Sequence, residues 1–245
     1  MLKQLYDKSR LGFAILWIVL YCVLMSAGDS LSAMAGIEKS VTLPIGVLLA
    51  VVLFCFLKKH RLTSAYGLRR AKAAPSSMLY YLPAILMLTA NLWYGVSVRV
   101  GAVETVLYIL SMFCVGFLEE VIFRGLLYRA MAADNPKSAI IVSSLTFGIG
   151  HIVNLFNGSG AEVFVTLLQV FYAAAAGFMF VMIYEKTNSL IGCIVIHGVF
   201  NALSVFANEP SGTAPQIVSC LLLMLISGGY AVYLAHSMKK TGGTK

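Results

Sequence analysis

The sequence predicts an all-α, polytopic transmembrane helix bundle of about eight spans with both termini cytoplasmic. Three observations carry this. The 245 residues are 60% hydrophobic and 11% charged, where soluble domains are about 25% charged, and mean hydropathy is +0.87. Apolar runs near the roughly 17–25 residues that cross a bilayer as helix recur along the whole chain. Lysine and arginine gather at alternate ends of those runs, as the positive-inside rule expects.

The runs cover residues 11–27, 41–57, 78–94, 105–127, 138–154, 163–184, 190–206 and 217–235. Helix follows because unpaired backbone groups are too costly in hydrocarbon, and the alternating pattern of a membrane barrel is absent. The first run could read as a signal peptide, since Ala33-Met34-Ala35 resembles a cleavage site. It is longer than a signal core of about 7–15 residues, so it is taken as a retained span. Residues 58–77 form the longest polar segment, whose basic face suits anionic lipid headgroups. No repeat or linker marks a second domain, so residues 1–245 are taken as one transmembrane domain with a motif-bearing core over about 105–206.

With the N-terminus in the cytoplasm, 16 of the 18 lysines and arginines fall inside, and Lys39 and Arg99 fall outside. The net charge of +8 is then a membrane-face asymmetry and calls for no nucleic acid. The bilayer is the first expected partner. The five cysteines, Cys22, Cys55, Cys114, Cys193 and Cys220, show no zinc or disulfide spacing and read as small hydrophobes. Asp29, Glu38, Glu104, Glu162 and Glu209 read as solvated outer-loop or span-end groups. Trp17, Trp93, Tyr80 and Tyr81 read as interface or core aromatics.

A few polar residues lie inside the spans: Glu119, Glu120 and Arg124 in the fourth, His151 in the fifth, His197 and Asn201 in the seventh. A charge at the bilayer centre costs roughly 2.5–3.5 kcal/mol on the insertion scale, so such groups face a protein interior or a wet cavity. Glu120 and Arg124 are four apart and share a helix face. Glu119 is rotated about 100° away and points elsewhere. Phe147 with His151, and His197 with Asn201, share faces in the same way. Gly148, Gly150 and Gly198 allow close helix approach beside the histidines. Each feature alone reads as a structural ion pair or an interhelical hydrogen bond. Together on three helices they ask for a common cavity.

This set suits water activation and amide cleavage. A carboxylate in low dielectric can act as general base, an imidazole can orient water or pass a proton, and a second imidazole with an asparagine amide can donate to an oxyanion. Glu119, His151 and His197 also make a ligand set for catalytic zinc. The residues leave the two mechanisms open, and no other cofactor is called for.

The stretch EEVIFRG (119–125) resembles the EExxxR motif of the CAAX-protease and bacteriocin-processing (CPBP, or Abi) intramembrane peptidases, which include the type II CAAX prenyl endopeptidases. FGIGH (147–151) resembles the family's FxxxH motif and HGVFN (197–201) its HxxxN motif, in the family's order. The resemblance implies a membrane peptidase opening toward the cytoplasmic side of a bacterial plasma membrane. Glu119 would be the base and His151 its partner on water. His197 and Asn201 would stabilise the oxyanion, or His197 would bind metal, and Glu120, Arg124 and Phe147 would support the site. It implies a membrane-associated peptide or protein as substrate: a CAAX-type protein, or a bacteriocin or pheromone precursor.

Other intramembrane protease classes fit poorly. No HExxH motif occurs, NGSG (157–160) has Asn where a rhomboid-type GxSG needs Gly, and Gly28-Asp29 lacks the rest of a GxGD site. Two other classes compete: a proton-coupled transporter, which would favour paired half-repeats that are absent here, and a catalytically idle scaffold or peptide-binding immunity protein.

Overall fold

The computed structural model describes residues 2–157, 161–208 and 210–242, with side chains described to residue 239. Glu209, Lys245 and residues 158–160 of the NGSG stretch lie outside the described residues, as does the side chain of Lys240. The described chain is helical except for its connections, with one isolated bridge between Val96 and Ala207.

A short amphipathic helix, α1 (Leu2–Lys8), leads into α2 (Arg10–Ala35). Ser9 caps α2 by accepting from the Gly12 N–H at 2.9 Å, as a serine ahead of an apolar run should. Helix α3 (Thr42–Lys59) packs back along α2. The long helix α5 (Ala102–Glu119) continues through a π-helical segment, Glu120–Tyr128, into α6 (Arg129–Ala132). Helix α7 (Pro136–Gly150) starts on Pro136, with Asn135 accepting from the Ser138 N–H at 3.1 Å. Then follow α8 (Val163–Thr187), α9 (Ile191–Leu203) and α10 (Thr213–Gly242).

Six of these segments are long and apolar enough to cross a membrane: α2, α3, α5 through α6, α7 with the turn after it, α8 and α10. The two remaining expected spans are shorter. The seventh is the 13-residue α9 followed by a tight turn, Ser204–Phe206. The third, expected as one helix over 78–94, is broken. It comprises a 3₁₀ stretch Pro75–Tyr81, a seven-residue α4 (Leu82–Leu88) and a second 3₁₀ turn Thr89–Leu92. Pro83 in the first turn of α4 disfavours helix before it, and Leu79, Tyr80 and Tyr81 turn the chain with positive φ.

Lipid-type surface is abundant. Val23 on α2, Leu48 on α3 and Leu225 on α10 are 60%, 62% and 71% exposed. The inward faces carry Phe13, Trp17, Leu53, Leu118, Phe180 and Leu234, all buried. Close helix crossing is concentrated beside the motifs. A Cβ on Gly198 would stand 2.7 Å from the Phe113 ring, and one on Gly116 of α5 would stand 2.8 Å from the Gly198 nitrogen. A Cβ on Gly148 would meet the Val170 carbonyl at 2.7 Å. Gly150, expected to play the same part, has open space where its Cβ would be.

Candidate active site

Glu119 ends α5 and Glu120 begins the π-helical segment, so the two carboxylates sit at a change of helical winding. Such segments recur at functional sites because widening the turn re-aims side chains. The two glutamates keep α-helical dihedrals and face different surroundings. Glu120 is fully buried and Glu119 borders a cavity.

The expected ion pair is present: Arg124 Nη1 donates to Glu120 Oε1 at 3.0 Å, with both side chains wholly buried. The same Glu120 oxygen lies 2.9 Å from His197 Nδ1. An ionised carboxylate only accepts, so Nδ1 carries the hydrogen and Nε2 is left on the opposite edge of the ring. That edge faces Glu119: His197 Nε2 is 3.4 Å from Glu119 Oε2. Glu120 therefore does more than pair with Arg124. It fixes the tautomer of the histidine that addresses Glu119.

Glu119 has a second partner that sequence reasoning missed. The Tyr21 hydroxyl of α2 donates to Glu119 Oε1 at 2.6 Å. One oxygen is thus held by a phenol, while Oε2 is buried and has no protein hydrogen-bond partner among the described residues. An interior tyrosine in the first span carries no signal that separates it from a packing aromatic.

Phe147 holds the rest together. The Arg124 guanidinium lies 4.0 Å from its ring centroid, a cation–π contact in a dry setting. The rings of His151 and His197 meet it edge-on at 5.2 and 5.6 Å. Phe180 of α8, also unforeseen, stacks on His197 at 5.4 Å with 20° between planes. His151 follows the last residue of α7, and its Nδ1 donates to the Phe147 carbonyl at 3.0 Å. Its Nε2 is then left as an acceptor. Of the two histidines, it is His197 that approaches Glu119 directly; His151 lines the same cavity.

That cavity has a volume of about 550 Å³ and reaches Tyr21, Glu119, Phe147, His151 and Asn201. A smaller one of about 40 Å³ lies among Phe147, His151, Phe180, His197 and Asn201. All seven expected site residues therefore gather in one place from the fourth, fifth and seventh expected spans. Asp29, expected to be solvated, instead lines the larger cavity, paired with Lys39 at 2.7 Å and accepting from Thr42 Oγ1 at 2.7 Å.

Two histidines with Nε2 available and a free carboxylate oxygen are the right donors for zinc. Among the described residues, however, no three His, Cys, Asp or Glu side chains stand close enough together to hold a metal ion. As placed, Glu119, His151 and His197 do not close a three-ligand set, and no step below passes through a metal.

Residues 101–203 match the family model described as type II CAAX prenyl endopeptidase Rce1-like. The match runs from the start of α5 to the end of α9. It contains every motif residue and leaves out α2 with Tyr21. No curated protein and no solved structure matches the chain. Over this segment the chain is similar to the CPBP-type intramembrane proteases, and its six long apolar helices make it an integral membrane protein.

Proposed function

We propose that this chain, with its protease-type core in a membrane bundle, hydrolyses a peptide bond of a membrane-associated peptide or protein using water activated by Glu119. The observation that carries the reading is the clamp on Glu119. Tyr21 donates to Oε1, Oε2 is buried 3.4 Å from His197 Nε2 with no protein hydrogen bond among the described residues, and the Glu119 side chain borders a cavity of about 550 Å³. Pockets for ligands commonly span about 300–1,000 Å³.

In this reading the Glu119 carboxylate removes a proton from water and the water oxygen attacks the scissile carbonyl carbon. His151 Nε2 accepts the water's second hydrogen and orients it. The carbonyl π-bond opens to a tetrahedral oxyanion, toward which the Asn201 amide donates. His197 Nε2 takes the proton from Glu119 and delivers it to the leaving nitrogen as the C–N bond breaks. Glu120 keeps the transient imidazolium paired, much as a buried acid orients the histidine of a catalytic triad. Atoms balance: one water is consumed, and one carboxyl and one amine terminus appear.

The test is processing of a co-expressed membrane peptide by wild type and by Glu119→Ala, His151→Ala and His197→Ala. Loss of processing in folded Glu119→Ala and His197→Ala supports the roles. Wild-type rates in all three folded variants would remove them.

A further inference from the structure

The cavity and the basic residues lie at opposite ends of the bundle. At one end Arg69 Nε donates to the Asn188 carbonyl at 3.0 Å, and Arg129 to the Tyr184 hydroxyl at 2.8 Å. Lys186 reaches Ser237 at 2.7 Å, and the Tyr6 and Tyr66 hydroxyls meet at 2.8 Å. These contacts tie the N-terminal segment, the 58–77 loop, the α8–α9 turn and the end of α10 into one basic face. At the other end Asp29 pairs with Lys39, the Glu38 N–H donates to Glu104 at 3.0 Å, and the Tyr94 hydroxyl donates to the Pro215 carbonyl at 3.0 Å.

The 550 Å³ cavity belongs to this second end. Asp29, Lys39, Tyr94, Arg99, Ala161 and Asn208 line it, and it runs inward to Glu119. Among the described residues, Lys39 and Arg99 are the lysine and arginine found there. A site opening on the cytoplasm and a cytoplasmic basic face therefore exclude each other in this fold. With the buried Arg124 set aside, the sequence has 15 lysines and arginines expected inside against Lys39 and Arg99, and they decide for the basic face.

The lining also has a chemical character. Five of the seven asparagines in the chain, Asn91, Asn154, Asn157, Asn201 and Asn208, line this cavity together with Gln169. Asn91, Asn154, Asn157 and Asn208 donate to protein acceptors, so the lining is a polar, uncharged hydrogen-bonded wall, the character a peptide backbone pairs with.

We infer that the cavity is a peptide-binding cleft entered from the extracytoplasmic side. Its substrate is the outer segment of a membrane peptide or an exported peptide, not a cytosolic chain terminus. The word substrate rests on the peptidase reading; the side rests on geometry and charge alone.

The experiment is thiol labelling with a membrane-impermeant maleimide, in a variant whose five cysteines are replaced. Ala161→Cys at the cavity and Ser211→Cys on the adjoining exposed turn should label in intact cells. Ser64→Cys at the basic end should label only after permeabilisation. The reverse pattern overturns the inference. If the cysteine-free variant fails to accumulate, a fluorescent protein that matures only in cytoplasm, fused after α10 of the wild-type chain, decides instead. Fluorescence is expected, and its absence from a fusion present in the membrane overturns the inference. Membrane vesicles then separate the two readings. Right-side-out vesicles should hydrolyse an added peptide and inverted ones should not; hydrolysis by inverted vesicles alone overturns the inference. Expected labelling with hydrolysis by neither would count against the peptidase reading and leave the sidedness standing.

Discussion

Replacing Arg124 by methionine should destabilise the bundle strongly, and a second substitution should restore much of the lost stability without restoring turnover. Both Arg124 and Glu120 are wholly buried and 3.0 Å apart. Removing one member of such a pair leaves a buried charge uncompensated, at a cost of about 3–5 kcal/mol. The contact with Phe147 at 4.0 Å goes too, although methionine refills most of the volume. At about 2–4 °C per kcal/mol for a chain of this size, the single variant should unfold roughly 6–20 °C below wild type. In Glu120→Leu/Arg124→Met both charges are gone, and replacing a buried pair by apolar groups is often neutral. Its melting temperature should recover much of that loss, with a shortfall reflecting the cost, about 1–3 kcal/mol, of the buried His197 Nδ1–H left without its acceptor. Turnover should stay lost, because His197 Nδ1 has no carboxylate to hold its tautomer. Thermal unfolding of purified protein, read with peptide hydrolysis on the same samples, measures both quantities. A single variant that melts with wild type, or a double variant that cleaves normally, would refute the reasoning.

Three further outcomes follow from the geometry. Tyr21→Phe keeps the ring and removes the 2.6 Å bond to Glu119. Hydrogen bonds to charged groups contribute about 1.5–3 kcal/mol, so turnover should fall roughly ten- to a hundredfold; wild-type kinetics would mean that the phenol does not position the base. Gly148→Ala places a methyl 2.7 Å from the Val170 carbonyl and should cost about 1–3 kcal/mol of stability in an unfolding titration, whereas Gly150→Ala, with open space around it, should be neutral. Chelation of purified, active protein should leave hydrolysis unchanged; loss of activity restored by added zinc would bring Glu119, His151 and His197 together as ligands.

The long spans are legible because hydrophobic length is a property of the chain itself. The break in the third expected span was marked by Pro83, but an apolar run of the right length outweighed it. The π-helical winding from Glu120 to Tyr128 leaves no compositional trace, so the split between the glutamates was foreseen from the ordinary helical period. The structure keeps that split and changes its meaning, since Glu120 holds His197 as well as Arg124. Tyr21, Phe180 and, Asn201 apart, the asparagines lining the cavity are not legible in the sequence, because their roles come from helices far apart in the chain. Asp29 reads as solvated in the sequence because its partner Lys39 sits across a turn, and only the fold brings both to the cavity.

The central claim is that Glu119 cuts peptides, and it can be tested before any substrate is known. Mapping new peptide termini in membranes of cells expressing wild type or Glu119→Gln compares an ionisable base with an amide of the same shape. The account predicts termini that appear with wild type and vanish with the variant, both proteins being present in equal amount and equally folded; losing a general base costs about 10²–10⁴ in rate. Identical termini from the two would contradict it and leave a binding scaffold.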